Sequence, residues 1–325
     1  MSAGITISFN YYIKSYPPEN YQLLLGIILW VFNLLGLICI VLFGSKASRK
    51  LLAPIKTMTN TVEEISINAL NKRLDVTGSK DELKDLAKTF NEMLDRIQNS
   101  VELQNQFISD ASHELRTPIA VIQGYADLLA RWGKDEPKVL EESIEAIKSE
   151  GENMNSLVEK LLFLARGDKN KQRVEKENFP LCQVINEIIK ETKLIDPNHQ
   201  ILNDQNEDFI IYADRKMIKE VIRIFMENSI KFTPPMGTIK LNLYRKNNKA
   251  IISIEDNGIG ISKADLPYIF NRFYRADKSR TKSSGGTGLG LAIAKWIIDN
   301  HEGKINVWSE LNYGTVVRIE LPLGE

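Results

Sequence analysis

A long apolar stretch runs from Leu23 to Phe43, with Asn33 as its one polar interior side chain. An apolar helix of about twenty residues is long enough to cross the hydrocarbon core of a bilayer. A cleaved signal peptide is disfavoured because the run is long, starts late and follows no basic region; a buried core helix is a further alternative. We therefore predict a membrane anchor. By the positive-inside rule, its C-terminal side is cytoplasmic because three basic residues follow it, Lys46, Arg49 and Lys50.

Two helical seams follow the apolar run within residues 44–98. The first has apolar side chains at three- and four-residue spacing, at Ile55, Met58, Val62 and Ile65. Pro54 suits the first turn of that helix, and a polar stretch containing Gly78 ends the pattern. The second seam comprises Leu83, Leu86, Phe90, Leu94, Ile97 and Val101. Its consecutive four-residue steps form a stutter, which locally unwinds a coiled coil.

Residues 99–168 predict two long amphipathic helices joined by a short loop. The seam that begins at Leu83 continues through Ile108, Ala111, Leu115, Ile122 and Leu129. After Gly133 and Pro137 a third seam follows, with Leu140, Ile144, Ile147, Gly151, Met154, Val158, Leu161 and Ala165. A short loop between two such helices makes an antiparallel hairpin. One hairpin leaves half of its apolar seam exposed, so the pattern favours a dimeric antiparallel four-helix bundle.

Residues 172–325 have a different pattern, in which apolar side chains alternate with polar ones. The alternation predicts half-buried strands at Ile239, Leu241 and Leu243, at Ile252 and Ile254, and at Ile305 and Val307. Helical stretches lie between them, at about 182–193, 215–231 and 288–301, and Asp214 is a plausible N-cap for the middle one. Strands and helices mixed in this way predict a two-layer α/β sandwich with helices on one face.

Composition narrows the classes of function. The chain has 42 basic and 42 acidic residues, so no global charge indicates a nucleic-acid partner. Its two cysteines, Cys39 and Cys182, form neither a disulfide framework nor a CxxC metal motif. Histidine is scarce, with three in 325 residues, which draws attention to the setting of each one.

His113 lies in the run Ser-His-Glu-Leu-Arg-Thr-Pro, between the seam residues Ala111 and Leu115. That spacing puts His113 on the solvent side of its helix. A lone exposed histidine is usually only surface, but an imidazole that is largely neutral near pH 7 can attack phosphorus without prior deprotonation. Glu114 can accept a hydrogen bond from the other ring nitrogen. Pro118 removes a backbone donor and is expected to bend the helix just after this site.

Two downstream segments have the chemistry of a nucleotide site. Asn228 and Lys231 lie one turn apart near a helix end, where an amide oxygen suits Mg²⁺ and an ammonium can neutralise phosphate. Asp256 ends a strand and precedes Gly258 and Gly260. A simple strand-ending turn would also explain this second motif.

A glycine-rich segment, residues 286–290, opens the last helix, where backbone N–H groups can bind phosphate. It is not a Walker A loop, because no Gly-Lys-Ser/Thr follows it, and no strand leads directly into it as a dinucleotide-binding fingerprint requires. The preceding stretch, Ala276 to Gly285, is rich in Ser, Lys and Gly and predicts a mobile lid.

Taken together, residues 44–325 resemble the sensor histidine kinases. Ser112 to Ile119 match that family's phosphoacceptor box, and the downstream glycine segments match its ATP-binding domain in order. Phe270 to Arg275 match the family's aromatic box. Residues 44–98 resemble a HAMP linker through Pro54 and the acidic opening of the second helix, although Leu83 stands where many members have glycine; a plain juxtamembrane coiled coil is the alternative.

The resemblance implies a role for each matching residue. His113 would be phosphorylated, Glu114 would be the general base, and Thr117 would orient a water that dephosphorylates the partner, although local helix bonding before Pro118 would also explain this threonine. Asn228 would bind Mg²⁺ and Asp256 would accept a hydrogen bond from the adenine amino group. The positions implied to contact ATP are Asn228, Lys231, Asp256, Gly258, Gly260, Phe270, Tyr274, Arg275, Thr287, Gly288, Leu289, Gly290 and Thr315.

Ile224 departs from the family pattern, since most members have a second asparagine there and related ATPases have a glutamate that activates water. Isoleucine cannot activate water, which disfavours a hydrolytic ATPase of the gyrase and Hsp90 type. It also leaves one amide fewer for Mg²⁺. A kinase-weak adaptor or phosphatase that binds a response regulator is therefore a third alternative.

We thus expect a multidomain α and α+β protein with ATP and Mg²⁺ as cofactors. Its expected order is a short extracytoplasmic segment (1–22), a transmembrane helix (23–43), a HAMP-like coiled coil (44–98), a dimerisation and histidine phosphotransfer domain (99–168) and an ATP-binding two-layer α/β sandwich (172–325). The expected form is a single-pass homodimer with cytoplasmic catalytic domains. Its expected partners are a response regulator, membrane lipid and a possible membrane sensor protein, with no nucleic acid.

Overall fold

The computed structural model describes residues 18–65, 70–75, 81–133, 136–169, 171–276 and 286–323. The chain forms two compact units, Met1–Gln104 and Asn105–Glu325, and each is described by itself. The predicted connector around Gly78 and nearly all of the predicted lid lie outside the described residues.

The first unit begins with helix α1, Pro18–Glu64. Within the described chain, one helical segment is long and apolar enough to cross a membrane, Tyr21–Lys46, with a mean hydropathy of 2.7. The helix continues without a break through position 54, so the prediction that a helix begins at Pro54 is wrong. A proline inside a helix removes one amide donor, and the helix can continue when its neighbours keep their bonds.

Helix α2, Asp81–Trp132, carries the second predicted seam in its first half. Asn91 fixes the preceding segment to this helix, because its side chain accepts from the Leu74 N–H at 2.9 Å and donates to the Leu74 carbonyl at 3.0 Å. Leu74 is buried in this unit, as are Ala87 and Leu94 of the helix. Leu86, another seam residue, is 58% exposed in the single chain, which leaves an apolar face for a second copy.

The second unit starts with the rest of α2 and with α3, Pro137–Asp168, which form the predicted helical hairpin. Pro118 lies inside α2, and the helix continues past it to Trp132. Apolar side chains on both helices remain exposed, among them Ile108 and Ile144. An exposed apolar seam on a hairpin fits burial by dimerisation.

The remaining elements form the predicted two-layer sandwich. Its strands are β1 Glu177–Pro180, β2 Gln200–Leu202, β3 Ile210–Ala213, β4 Thr238–Lys246, β5 Lys249–Asp256, β6 Lys304–Glu310 and β7 Gly314–Pro322. Its helices are α4 Leu181–Ile195, α5 Arg215–Phe232 and α6 Gly290–Asn300, and a short 3-10 helix spans Leu266–Tyr268. The main sheet has the order β2-β4-β5-β7-β6, and only β2 and β4 pair in parallel.

The alternation in the sequence explains how this sheet packs. Ile239, Leu241 and Leu243 of β4 and Ile252 of β5 are fully buried and share one core with apolar residues of the three helices. Asp214 is the N-cap of α5, as predicted, since its Oδ1 accepts from two backbone N–H groups of the first turn at 3.1 Å. The cap fixes the first residue of α5. Asn228 and Lys231 lie in the last turns of the same helix.

Candidate functional site

His113 is exposed on α2, as its position in the seam predicts, while Ala111 and Leu115 on either side are half-buried. Glu114 lies next to it, and its Oε1 is 4.0 Å from Nη1 of Arg275, which belongs to the sandwich. Thr117 is exposed one turn further along the helix. This part of α2 thus exposes an imidazole and a hydroxyl, and the carboxylate beside the imidazole lies near a guanidinium of the sandwich.

Asp256 is held at the end of β5 by three donors. Its Oδ1 accepts from the N–H groups of Gly258 at 3.0 Å and Thr315 at 3.2 Å, and its Oδ2 accepts from Ser229 Oγ at 3.0 Å. Burial raises the pKa of Asp256, while the three hydrogen bonds act in the opposite direction. The carboxylate is therefore fixed in orientation, and a lone pair on Oδ2 remains for a further donor.

Backbone atoms of the protein occupy the space that a side chain would need at Gly258 and at Gly260. A Cβ on Gly258 would lie 2.5 Å from the Phe232 carbonyl oxygen, and one on Gly260 would lie 2.0 Å from that of Glu310. Gly260 also has a φ of 69°, which disfavours residues with a side chain. Close backbone packing thus explains why both positions are glycine.

Lys231 lies on the last turn of α5 beside the glycine-rich segment. A Cβ on Gly286 would be 2.5 Å from its Nζ, so the ammonium borders that segment directly. Burial lowers the pKa of Lys231, and the positive charge of Arg275 lowers it further. Two neighbouring cations that repel each other in this way are typical of a site that binds an anion. Asn228, one turn earlier, is half-buried.

The glycine-rich segment leads into α6. Leu289 is fully buried and holds the start of the helix in the core, and Thr287 and Gly288 are half-buried. No side-chain cap bond forms at the described start of α6. The first N–H groups of an uncapped helix can bind an anion such as phosphate.

The aromatic box is joined to the glycine-rich segment through its backbone. The Phe273 N–H donates to the Gly288 carbonyl at 2.9 Å, and a Cβ on Gly288 would lie 2.8 Å from Phe273 Cα. Phe273 itself has a φ of 59°, an uncommon conformation for a side chain of this size. The backbones of the two segments are therefore in direct contact at this point.

The other box residues are distributed around this joint. Phe270 packs on the core. The Tyr274 hydroxyl donates to Asp265 Oδ1 at 2.6 Å, and this bond raises the pKa of the phenol. Arg275 lies near both Glu114 and Lys231. The structure thus brings together Lys231, Arg275 and the glycine-rich segment, with Asn228 one turn before Lys231 on α5, and it directs the Tyr274 hydroxyl to the 3-10 helix.

Three contributing residues were not among the predicted site positions. Ser229 and Ser309 hold the Asp256 and Thr315 arrangement, with Ser309 Oγ 2.8 Å from Thr315 Oγ1. Arg272 contacts both helices of the hairpin. The partners in most of these contacts are far apart in sequence, so local sequence patterns do not indicate them. The one available signal was that Arg272 lies within the aromatic box.

Three stretches of the chain match known families. Residues 46–99 match the HAMP domain, residues 103–170 match the His Kinase A (phospho-acceptor) domain, and residues 213–325 match the histidine kinase-, DNA gyrase B- and HSP90-like ATPase. This combination defines an ATP-dependent protein kinase that acts on histidine.

The chain belongs to the sensor histidine kinases, enzymes that use ATP to phosphorylate their own histidine and pass the phosphoryl group to a response regulator. It is 37% identical to the signal transduction histidine-protein kinase ArlS of Staphylococcus aureus (strain USA300) over 313 residues, which cover 95% of this chain and 69% of that protein. The predicted family, fold class and enzyme activity are confirmed.

Solved structures have the same fold. The Acinetobacter baumannii histidine kinase AdeS aligns with a TM-score of 0.53 at 24% identity, over 66% of this chain and 98% of that one. The histidine kinase ThkA, in complex with the response regulator protein TrrA, aligns with a TM-score of 0.55 at 25% identity, over 70% of this chain and 64% of that one.

Proposed function

We propose that His113 is the phosphoacceptor of this kinase and that ATP binds between α5, the end of β5 and the glycine-rich segment. The observation that carries this proposal is the 4.0 Å approach of Arg275 to Glu114, the neighbour of His113. Arg275 also lies close enough to Lys231 to lower its pKa. A single guanidinium thus borders both the proposed phosphate site and the proposed acceptor.

The exposed imidazole of His113 attacks the γ-phosphorus with a lone pair on one ring nitrogen. A P–N bond forms while the bond to the bridging oxygen breaks, and ADP leaves. Glu114 is the general base: its carboxylate accepts the hydrogen bond from the other ring nitrogen and takes that proton as positive charge develops on the ring, which leaves a neutral phosphoimidazole. Positioning and charge neutralisation carry most of such a phosphoryl transfer.

We propose the following contacts to the nucleotide. Asp256 Oδ2 accepts from the adenine amino group, and Thr315 lies on the same side. Lys231, Arg275 and the uncapped start of α6 neutralise the phosphates. The remaining positions proposed to line the site are Gly258, Gly260, Phe270, Tyr274, Thr287, Gly288, Leu289 and Gly290.

Asn228 would hold Mg²⁺ through its amide oxygen, a ligand of the kind that this ion prefers. When bound, the ion would neutralise phosphate charge. Ile224 cannot contribute, because its side chain is apolar and 6% exposed. Of these two positions on α5, only Asn228 would therefore supply an amide ligand to Mg²⁺.

We further propose a single-pass homodimer whose catalytic domains are cytoplasmic, anchored in membrane lipid by residues 23–43 and signalling through residues 44–98. The membrane itself or a partner protein in the membrane would supply the stimulus. Signal would reach His113 as a change of helix packing, since the second seam contains a stutter between Leu86 and Leu94. Insertions that remove the stutter should lock the output; a variant of this kind that still responds normally would disprove this route.

The phosphoryl group then passes to an aspartate of a response regulator, in keeping with the ThkA complex. A regulator-phosphatase activity is a second candidate function. It is favoured by the exposure of Thr117 one turn from His113, where its hydroxyl could orient water. Thr117→Ala should slow loss of phosphate from the regulator and leave labelling of the kinase intact. Equal rates of loss would rule out this role.

The main test uses the full chain and ATP labelled at the γ-phosphate. Wild type should acquire an acid-labile, base-stable label, and His113→Gln should abolish it. Gln106→Ala changes an exposed residue two turns away on the same helix and should keep the label. Label that persists in His113→Gln would refute the assignment, and phosphate release without labelled protein would favour an ATPase.

A further inference from the structure

Arg272 joins the ATP-binding sandwich to both helices of the phosphoacceptor hairpin. Its two terminal nitrogens donate to Asp168, the last residue of α3, at 2.8 and 2.5 Å. The same guanidinium lies over the Phe107 ring in α2, with its central carbon 5.2 Å from the ring centroid. One planar group thus contacts two helices whose contact points are far apart in sequence.

The chemistry of these contacts requires arginine. A guanidinium can donate two parallel hydrogen bonds to a carboxylate and at the same time stack on an aromatic ring, whereas an ammonium offers only a point charge. The Arg272 side chain is 33% exposed and that of Asp168 is 50% exposed. Ion pairs this exposed contribute little to stability, so orientation is the stronger effect of the contact.

The orientation set by Arg272 is transmitted to the glycine-rich segment by the next residue. The Phe273 ring lies 5.8 Å from the Phe107 ring, and the Phe273 N–H donates to the Gly288 carbonyl. Phe273 and Gly288 both have positive φ, at 59° and 69°, so their close fit allows little adjustment. Fixing Arg272 on the hairpin therefore fixes the backbone that precedes α6.

We propose that Arg272 is a positioning residue for phosphoryl transfer: by binding Asp168 and Phe107, it holds the sandwich so that the glycine-rich segment faces His113. This proposal rests on the proposed function, since it takes His113 as the acceptor. Arg272 touches neither the acceptor nor the phosphates. It acts through Phe273 and Gly288.

The test measures two quantities on the full-length protein in detergent: the rate of His113 labelling at saturating ATP, and the affinity for a fluorescent ATP analogue. Arg272→Ala and Asp168→Asn should slow labelling by roughly 10- to 100-fold, the range that a displacement of about 1 Å can cause. Nucleotide affinity should stay at the wild-type value. Arg272→Lys keeps the charge without the bidentate geometry and should recover only part of the rate.

The double variant Arg272→Asp with Asp168→Arg restores the ion pair in reverse and should label faster than either single variant. Lys249→Ala is the matched control, because Lys249 forms an exposed ion pair with Glu320 at 3.0 Å within the sheet. It should leave both quantities unchanged. Unfolding midpoints measured on every variant identify any that fail to fold.

Three outcomes would overturn the proposal: Arg272→Ala that labels at the wild-type rate, Arg272→Ala that labels faster, or a loss of labelling that only follows a loss of nucleotide affinity. The second would make the contact a restraint, and the third would make Arg272 a nucleotide ligand. Failure of the proposed function is a separate result, because it appears as label that persists in His113→Gln with Arg272 intact.

Discussion

Ile224 packs against Gly290, the first residue of α6: a Cβ on Gly290 would lie 3.2 Å from Ile224 Cγ2. Ile224 is 6% exposed and belongs to the central core. The position that departs from the family pattern is therefore part of the support behind the glycine-rich segment. An amide in its place would have to be buried among apolar neighbours.

Ile224→Asn should destabilise the protein by about 1–3 kcal/mol, because a buried amide without a partner loses its hydrogen bonds to water. Urea unfolding measures this difference. Ile224→Val is the control and should cost only about 0.5–1.5 kcal/mol. If the asparagine variant instead keeps its stability and binds Mg²⁺ and ATP more tightly, the side chain reaches the metal shell and the packing account is wrong.

Asp256→Asn should weaken ATP binding by about tenfold or more, since its new amide N–H₂ would oppose donors that now point at the carboxylate, a conflict worth about 1–3 kcal/mol. Titration with a fluorescent nucleotide measures the change. Ser229→Ala removes one of the three donors and should have a smaller effect. Asp299→Asn, in an exposed pair with Lys295, is the control. Unchanged affinity in Asp256→Asn would remove this residue from the nucleotide site.

His199 is predicted to stabilise the fold as an imidazolium. Its Nδ1 lies 2.5 Å from Asp196 Oδ2 and its Nε2 lies 3.0 Å from the Thr233 carbonyl, so both ring nitrogens face acceptors. Burial lowers the pKa of His199, but the Thr233 carbonyl and the Asp196 carboxylate outweigh it and raise the pKa overall. The stabilisation should be complete below a pH of about 6.5, which is the pKa of histidine in an unfolded chain. It should disappear as the pH rises through the higher pKa that His199 has in the folded protein.

The measurement is the free energy of unfolding of wild type and His199→Gln as a function of pH. The difference between the two proteins should be larger at pH 6 than at pH 9. Because His199 links the ends of α4 and α5, the variant should also loosen the segment that follows the Asn228 helix. A difference that does not vary with pH would show that the ring is not charged in the folded protein.

His301 should have the opposite pH dependence. Its Nε2 accepts from the Asp214 N–H at 3.0 Å, and its Nδ1 donates to the Ile297 carbonyl at 2.8 Å, which requires the neutral ring. Burial lowers the pKa of His301. The contribution of His301 to the free energy of unfolding should be complete above the pKa that its ring has in the unfolded chain. It should be lost as the pH falls through the lower pKa of the ring in the folded protein.

His301→Leu should cost about 1–3 kcal/mol near pH 8, because the Asp214 N–H is left buried without an acceptor. The cost should shrink at pH 5. NMR titration of the ring provides a direct check, and a His301 resonance that titrates above 6.5 would contradict this assignment.

The sequence pattern predicted the helices and strands of this protein well. Each element buries one face, and the spacing of its apolar residues therefore shows whether it is a helix or a strand. The alternation at Ile239, Leu241 and Leu243 required a half-buried strand, and Asp214 was identifiable as a cap. Pro54 misled the prediction, since a proline that starts many helices can also lie inside one when the flanking turns are intact.

The sequence by itself determined the order of the domains and the candidate residues for the chemistry, because His113, Asn228, Asp256 and the glycine-rich segment lie in short motifs whose spacing is local. Only the tertiary structure decided which partners those residues have. Gly260 meets the Glu310 backbone, and Arg272 binds Asp168 across 104 positions of sequence. Such contacts depend on how whole elements pack, so no local spacing encodes them.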